Sequence, residues 1–161
     1  MTLFISQRIS RTSVIAINEE IEKVFPLFTP IREKEWAEGW NPEILYPENG
    51  SIEERMIFQT ASPGHGEINY TWVISKYQPD NGFIEYTVFT HERVWWITIQ
   101  CREGNNNKTT MAEITYTYSG LSGTGNGINR LMLQNMYARD LKDWEDAINH
   151  YLASEKRLTH H

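Results

Sequence analysis

Apolar and polar residues alternate along most of this chain in short runs, and the last quarter switches to helical spacing. Residues 8 to 17 open the pattern. Ile9, Ile15 and Ile17 share one parity with Arg11 and Ser13 between them, as in a half-buried strand. Asn18 is placed to cap a helix, with Glu19, Glu20 and Glu22 in its first turns. Ile21, Val24, Phe25 and Phe28 give that helix a buried stripe, and Pro26 shortens or kinks it. Pro30 marks a break, and residues 31 to 38 have room for a second short helix. Residues 33 to 47, EKEWAEGWNPEILYP, read as a loop anchored by Trp36 and Trp40 beside Gly39 and Pro42. Residues 52 to 59 give a weak strand, and ASPGHGE then turns the chain.

The next runs are stronger. Ile68, Tyr70, Trp72 and Ile74 alternate with polar or β-branched residues. PDNG at 79 to 82 is a hairpin signal. Ile84, Tyr86 and Val88 follow on one parity, then Trp95, Ile97, Ile99 and Cys101. GNNN at 104 to 107 turns the chain into Ala112, Ile114, Tyr116 and Tyr118. Each run has one apolar and one polar face, as a half-solvated antiparallel sheet requires.

Residues 125 to 155 predict one long amphipathic helix. Leu133, Tyr137, Leu141, Trp144, Ile148, Tyr151 and Leu152 lie along one face, opposite Arg139, Lys142, Asp143, Asp146 and Asn149. About 30 residues at about 1.5 Å each span about 45 Å, enough to cross a sheet. Arg130 and Gln134 project to the same side as Leu133 and Tyr137. Either a wet or ligand-filled space lies beneath that end of the helix, or the end overhangs the sheet in solvent. The order of elements predicts an α+β fold, a curved antiparallel sheet of six or seven strands wrapped around the closing helix, in a single domain over 1–161.

Composition narrows the function. At 40% hydrophobic residues the chain has enough apolar surface for a core. A net charge of −6 without a basic run gives no electrostatic footprint for nucleic acid. No apolar run approaches the ~20 residues of a membrane span. No signal peptide is visible, and the one cysteine excludes an internal disulfide framework, so the expected address is cytoplasmic.

Chemical motifs are few. SGTGNG, residues 122 to 127, lacks the Lys-Ser/Thr ending of a phosphate loop and reads as a flexible hinge before the helix. His65 sits in a turn, and His91 with Glu92 and Arg93 reads as a polar hairpin turn. No histidine has metal-ligand spacing, so neither metal nor cofactor is expected. Cys101 lies on the apolar parity of its strand as a buried thiol, whereas Glu85 and Glu113 lie on the outward parity. No catalytic set emerges.

The aromatic residues are the remaining signal. Tyr70, Trp72, Tyr86, Trp95, Tyr116 and Tyr118 share the face expected to meet the helix. Such rings carry hydroxyl or N–H groups that are costly to bury without partners. They fill a core or line a cavity. In the cavity reading, Trp40 lies near the mouth, Tyr137 on the helical wall, and Arg130 and Gln134 supply polar contacts.

The first strand, INEEIEKVFPLF, EWAEGWNPEILYP, TWVIS, ITYTYSGLS and the closing helix together resemble the SRPBCC superfamily, the START-like, helix-grip group. This resemblance covers nearly the whole chain. It implies a central cavity for a small hydrophobic or aromatic molecule, lipid- or polyketide-like. Two other roles found in the group are a polyketide cyclase or dehydratase, with Tyr, His65 or Arg130 handling protons or an enolate, and a chaperone-activator-like interaction module. It carries no catalytic residue onto this sequence, and it leaves the oligomeric state open.

Overall fold

The alternating runs pair into one sheet. A computed structural model describes residues 3–62, 69–139 and 141–157, with backbone alone at 137 and 138. Its strands are β1 (Arg8–Ile17), β2 (Glu43–Tyr46), β3 (Ile57–Ala61), β4 (Asn69–Gln78), β5 (Phe83–Phe89), β6 (Arg93–Glu103) and β7 (Thr110–Gly120). They lie in the order β1-β7-β6-β5-β4-β3-β2, and every neighbouring pair is antiparallel. β1 begins and ends as its parity predicts. β3 starts later than the expected 52 to 59, and the segment read as an anchored loop contains the edge strand β2. The turn carrying His65 falls mostly outside the described residues, and so does Ile68.

Register places the inward residues in rows. Trp72 pairs with Val88, Val88 with Trp95, and Trp95 with Tyr118. Ile74, Tyr86, Ile97 and Tyr116 form the next row. A register shift between Ile74 and Lys76 brings Tyr77 opposite the buried Ile84, where its ring stacks on Phe25. At the PDNG turn, Gly82 has φ +65°, and a Cβ there would lie 2.9 Å from the Cys101 carbonyl oxygen, so the position excludes side chains. The outward face is polar, with Ser10–Thr117 and Thr12–Thr115 hydroxyl pairs joining β1 to β7.

After β1, α1 (Ile21–Val24) makes one turn, and Pro26 converts the rest to a 3-10 turn, Phe25–Phe28. Asn18 does not cap this helix. The position before it is Glu20, with no side-chain cap, and the Asn18 N–H instead donates to Asn149 Oδ1 at 2.8 Å. A second 3-10 turn, Arg32–Glu35, fills the expected second helical position.

The closing segment is two helices, not one: α2 (Gly123–Arg139) and α3 (Lys142–Ser154). Leu141, at φ +59°, breaks the helical path between them. The break lets α2 pack on β7, β1 and β6 while α3 turns along β1. There Glu145 accepts the Ala16 N–H at 2.9 Å, and Asn149 donates to the Ala16 carbonyl at 3.1 Å. Side chains of α3 thus satisfy backbone groups of an edge strand that would otherwise stand open. The pairs Arg139–Asp143 and Lys142–Asp146 form as spaced, at 2.5 and 3.3 Å.

The glycine-rich stretch is packed and is not a hinge. Ser122 Oγ accepts the Gly125 N–H at 3.0 Å, and a Cβ on Gly125 would lie 1.8 Å from the Glu92 carbonyl oxygen. This close approach fixes the start of α2 against the turn between β5 and β6. No helix among the described residues is long and apolar enough to cross a membrane.

Candidate functional site

Backbone bonds from Trp36 and Ala37 to the Glu33 carbonyl, and from Trp40 to the Ala37 carbonyl, coil the segment after α1 so that Glu33, Trp36, Ala37 and Trp40 line one space. They face the sheet. Between them, the sheet and α3 lies a cavity of about 560 Å³. Tyr86, Ile97, Ile99 and Tyr116 form its sheet wall, Trp72 adds β4, and Asp143, Trp144 and Ala147 add α3.

Backbone hydrogen bonds hold the rings in place. Trp36 Nε1 donates to the Leu27 carbonyl and Trp40 Nε1 to the Pro30 carbonyl, both at 2.7 Å. The Tyr86 hydroxyl donates to the Phe28 carbonyl at 2.6 Å. The indole rings of Trp40 and Trp72 meet edge to face with centroids 5.3 Å apart, and Trp72 meets Tyr86 likewise at 5.5 Å. With the polar tips of Trp36, Trp40 and Tyr86 satisfied by backbone and that of Trp72 by Thr60 Oγ1 at 3.0 Å, these rings present apolar faces and edges.

One polar group stands apart. Glu33 is only 9% exposed and lines the cavity, and no hydrogen bond to its carboxyl occurs among the described residues. Burial pushes its pKa well above the ordinary carboxyl range. Burial also raises Tyr86 and Tyr116, and the nearby Glu33 carboxyl adds to both shifts. Glu38 and Asp143 line the same space. No lysine, arginine or histidine occurs among the described residues that line it.

A smaller cavity of about 190 Å³ adjoins, sharing Trp72, Ile97 and Tyr116 with the first. Tyr70, Trp95, Tyr118 and Arg93 complete it with Met132. Arg93, 1% exposed, donates to the Tyr70 hydroxyl at 2.9 Å and to Asn129 Oδ1 at 3.3 Å. Its guanidinium lies 4.0 Å from the Trp95 ring centroid. Burial raises the Tyr118 hydroxyl, opposed by the Arg93 charge. Arg93 therefore belongs to the interior and not to the polar turn read from the sequence.

Of the residues singled out by parity, Trp40, Trp72, Tyr86 and Tyr116 meet at the larger cavity, and Tyr70, Trp95 and Tyr118 at the smaller. Arg130 and Gln134 do not join them. Both are exposed, and Arg130 donates to Gln7 Oε1 at 2.6 Å. α2 is rolled so that Asn129, Leu133 and Met136 are buried instead, and that end of the closing segment is solvated on the Arg130 side. The Tyr137 side chain lies outside the described residues. Glu33 and Arg93 were missed. Glu33 shares helical spacing with the two tryptophans, and Arg93 shares the inward parity of Trp95 and Ile97. Among the described residues, no three His, Cys, Asp or Glu side chains gather into a group able to hold a metal ion. Cys101 is buried, and burial pushes its thiol up to about 12.

No family model and no curated protein sequence matches the chain. Solved structures do. Norcoclaurine synthase from Thalictrum flavum, in complex with dopamine and hydroxybenzaldehyde, is 11% identical with a TM-score of 0.66, over 94% of this chain and 90% of that one. A point mutant of that enzyme with a transition-state analogue gives a TM-score of 0.70 at 11% identity, over 95% and 99%. An uncharacterised protein from Bacillus thuringiensis is 19% identical with a TM-score of 0.59, over 87% and 98%. With its seven-stranded antiparallel sheet, short helices after β1 and closing helices packed on the sheet, the protein has the helix-grip fold, which it shares with norcoclaurine synthase.

Proposed function

We propose that the protein binds a small hydrophobic or aromatic molecule in the cavity between the sheet, α3 and the Trp36–Trp40 segment. The observation that carries this reading is an open space of about 560 Å³ where six aromatic side chains converge. Ligand sites have this character: concave, mostly apolar, with a few placed polar groups. A solidly packed core would have favoured the interaction-module reading. Norcoclaurine synthase, similar in fold, was solved with dopamine and hydroxybenzaldehyde, both small aromatic molecules. On the same footing we place the protein in the cytoplasm, supported by a single buried cysteine.

One observation favours an enzymatic reading in second place. Glu33, whose carboxyl burial shifts toward the protonated form, faces the same space as Tyr116 and is placed to donate a proton there. Arg130 is exposed and does not join this space, and His65 lies outside the described residues.

Native mass spectrometry of gently purified protein tests the binding reading, because a retained ligand adds its own mass. Fluorescence titration with phenethyl alcohol tests it further. Trp72→Ala and Tyr116→Ala are expected to weaken the response. Unchanged fluorescence at saturating probe contradicts the reading.

A further inference from the structure

We propose that the larger cavity selects an organic cation, an aromatic or aliphatic body carrying a protonated amine, with Glu33 as its counter-ion. This inference rests on the cavity reading above and adds the charge of the occupant. It starts from the one carboxyl group among the described lining residues that is buried and has no hydrogen-bond partner. Glu33 is 9% exposed, and no hydrogen bond to its carboxyl is found among the described residues. Buried polar groups are ordinarily hydrogen-bonded, and an exception calls for a missing partner. A ligand that brings its own donor and positive charge supplies one.

The rest of the wall agrees. Its charged members, Glu33, Glu38 and Asp143, are all acidic. Asp143 is paired with Arg139 at 2.5 Å, with its side chain half-exposed, so its charge is partly compensated. Glu33 has no such compensation. Around it stand the faces and edges of Trp36, Trp72, Tyr116 and Trp144. Aromatic faces attract cations through the ring quadrupole, most of all when water is excluded. A neutral apolar ligand would fill the space and leave the carboxyl unpaired, and a neutral polar one would add a hydrogen bond but no opposite charge. An anion would meet three carboxyl groups with no cation among the residues described as lining the space.

The proton balance follows. Below its raised pKa the free protein holds Glu33 protonated, so binding an ammonium ion there expels one proton: the carboxylic acid releases it to solvent, and the carboxylate pairs with the ligand. The groups facing Glu33 do not blur this. Tyr86 on β5 and Tyr116 on β7 are both shifted upward and stay neutral. On its own turn, Arg32 and Glu35 pair with each other, and Tyr151 of α3 donates to Glu35. Affinity for the cation therefore rises about tenfold per pH unit until Glu33 ionises in the free protein, then levels off.

The test is calorimetric titration of the full chain with three probes of similar shape: phenethylamine, phenethyl alcohol and hydrocinnamate. The amine is expected to bind roughly tenfold or more tighter than the alcohol, and hydrocinnamate weakest. Below the pKa of Glu33, amine binding releases about one proton, read from heats in buffers of different ionisation enthalpy. Glu33→Gln removes the proton release and the amine preference, so that the amine binds no tighter than the alcohol. Equal binding of amine and alcohol, or an amine preference kept in Glu33→Gln, overturns the proposal while the cavity reading stands. No binding of any probe overturns both. Should Glu33→Gln fail to fold, proton release in the unaltered protein decides.

Discussion

Trp36 and Trp144 meet edge to face, with ring centroids 5.7 Å apart and 61° between their planes. The first ring is pinned by its bond to the Leu27 carbonyl, and the second rides on α3. Phe28 touches both. This cluster joins the segment after β1 to the closing helix at the wall of the cavity. Trp144→Ala is expected to cost about 3 kcal/mol, the low end for truncating a large aromatic, because the ring is only partly buried. Urea unfolding measures it. A loss below about 1 kcal/mol would mean that α3 docks through its contacts with β1 alone.

Glu33 gives stability a pH slope. Its folded pKa is raised by burial, whereas in the unfolded chain it lies near about 4.3. Between those two values the unfolded state binds fewer protons than the folded one, so stability falls as pH rises. The Glu33 contribution is flat below the lower value and flat again above the raised one. Glu33→Gln is expected to remove this slope, up to about 1.4 kcal/mol per pH unit inside the window. Denaturation midpoints of both proteins across that range check it. Parallel curves would mean that the carboxyl is solvated.

Arg93 stacks on Trp95 and donates to Tyr70 and Asn129. A lysine ammonium cannot reproduce the planar fork or the stacking. Arg93→Lys is expected to cost about 1–3 kcal/mol, and Arg93→Ala about 3–5 kcal/mol, because buried partners lose their donors. Thermal unfolding of the two variants gives the order. Equal and small losses would contradict the packing described.

Gly125 sits where a methyl group would collide with the Glu92 carbonyl oxygen. Gly125→Ala is expected to destabilise although alanine favours helices. Unfolding measurements on Gly125→Ala and on Gly123→Ala, where no atom lies within 4 Å, separate the two effects. If Gly125→Ala is no worse than Gly123→Ala, the start of α2 is looser than its geometry.

Parity made the sheet legible. Tyr86, Trp95 and Tyr118 fall on the buried face because side chains in paired strands alternate strictly. Helical projection served less well. It placed Arg130 and Gln134 inward, because α2 is only weakly amphipathic and its inward side carries Asn126 and Asn129 beside Ile128 and Leu133. Those asparagines make specific bonds, Asn126 to the backbone of Ile5 and Gln7, and Asn129 to Arg93. A hydrophobicity pattern does not register such bonds. The break at Leu141 was equally hidden, since no glycine or proline marks it. Glu33 escaped notice because a charged residue in a short helical turn ordinarily faces solvent.

The indole N–H signals of the six tryptophans in a proton–nitrogen correlation spectrum, followed during titration with phenethyl alcohol, test the central claim most directly. Trp36, Trp40, Trp72 and Trp144 line the larger cavity, whereas Trp96 lies outside both cavities with the Arg8 guanidinium 5.1 Å from its ring centroid. A ligand in the cavity shifts the signals of the first four together, along one saturable curve, and leaves Trp96 in place. Shifts confined to Trp96, or no saturable shift in the cavity four, would contradict ligand binding between the sheet and α3.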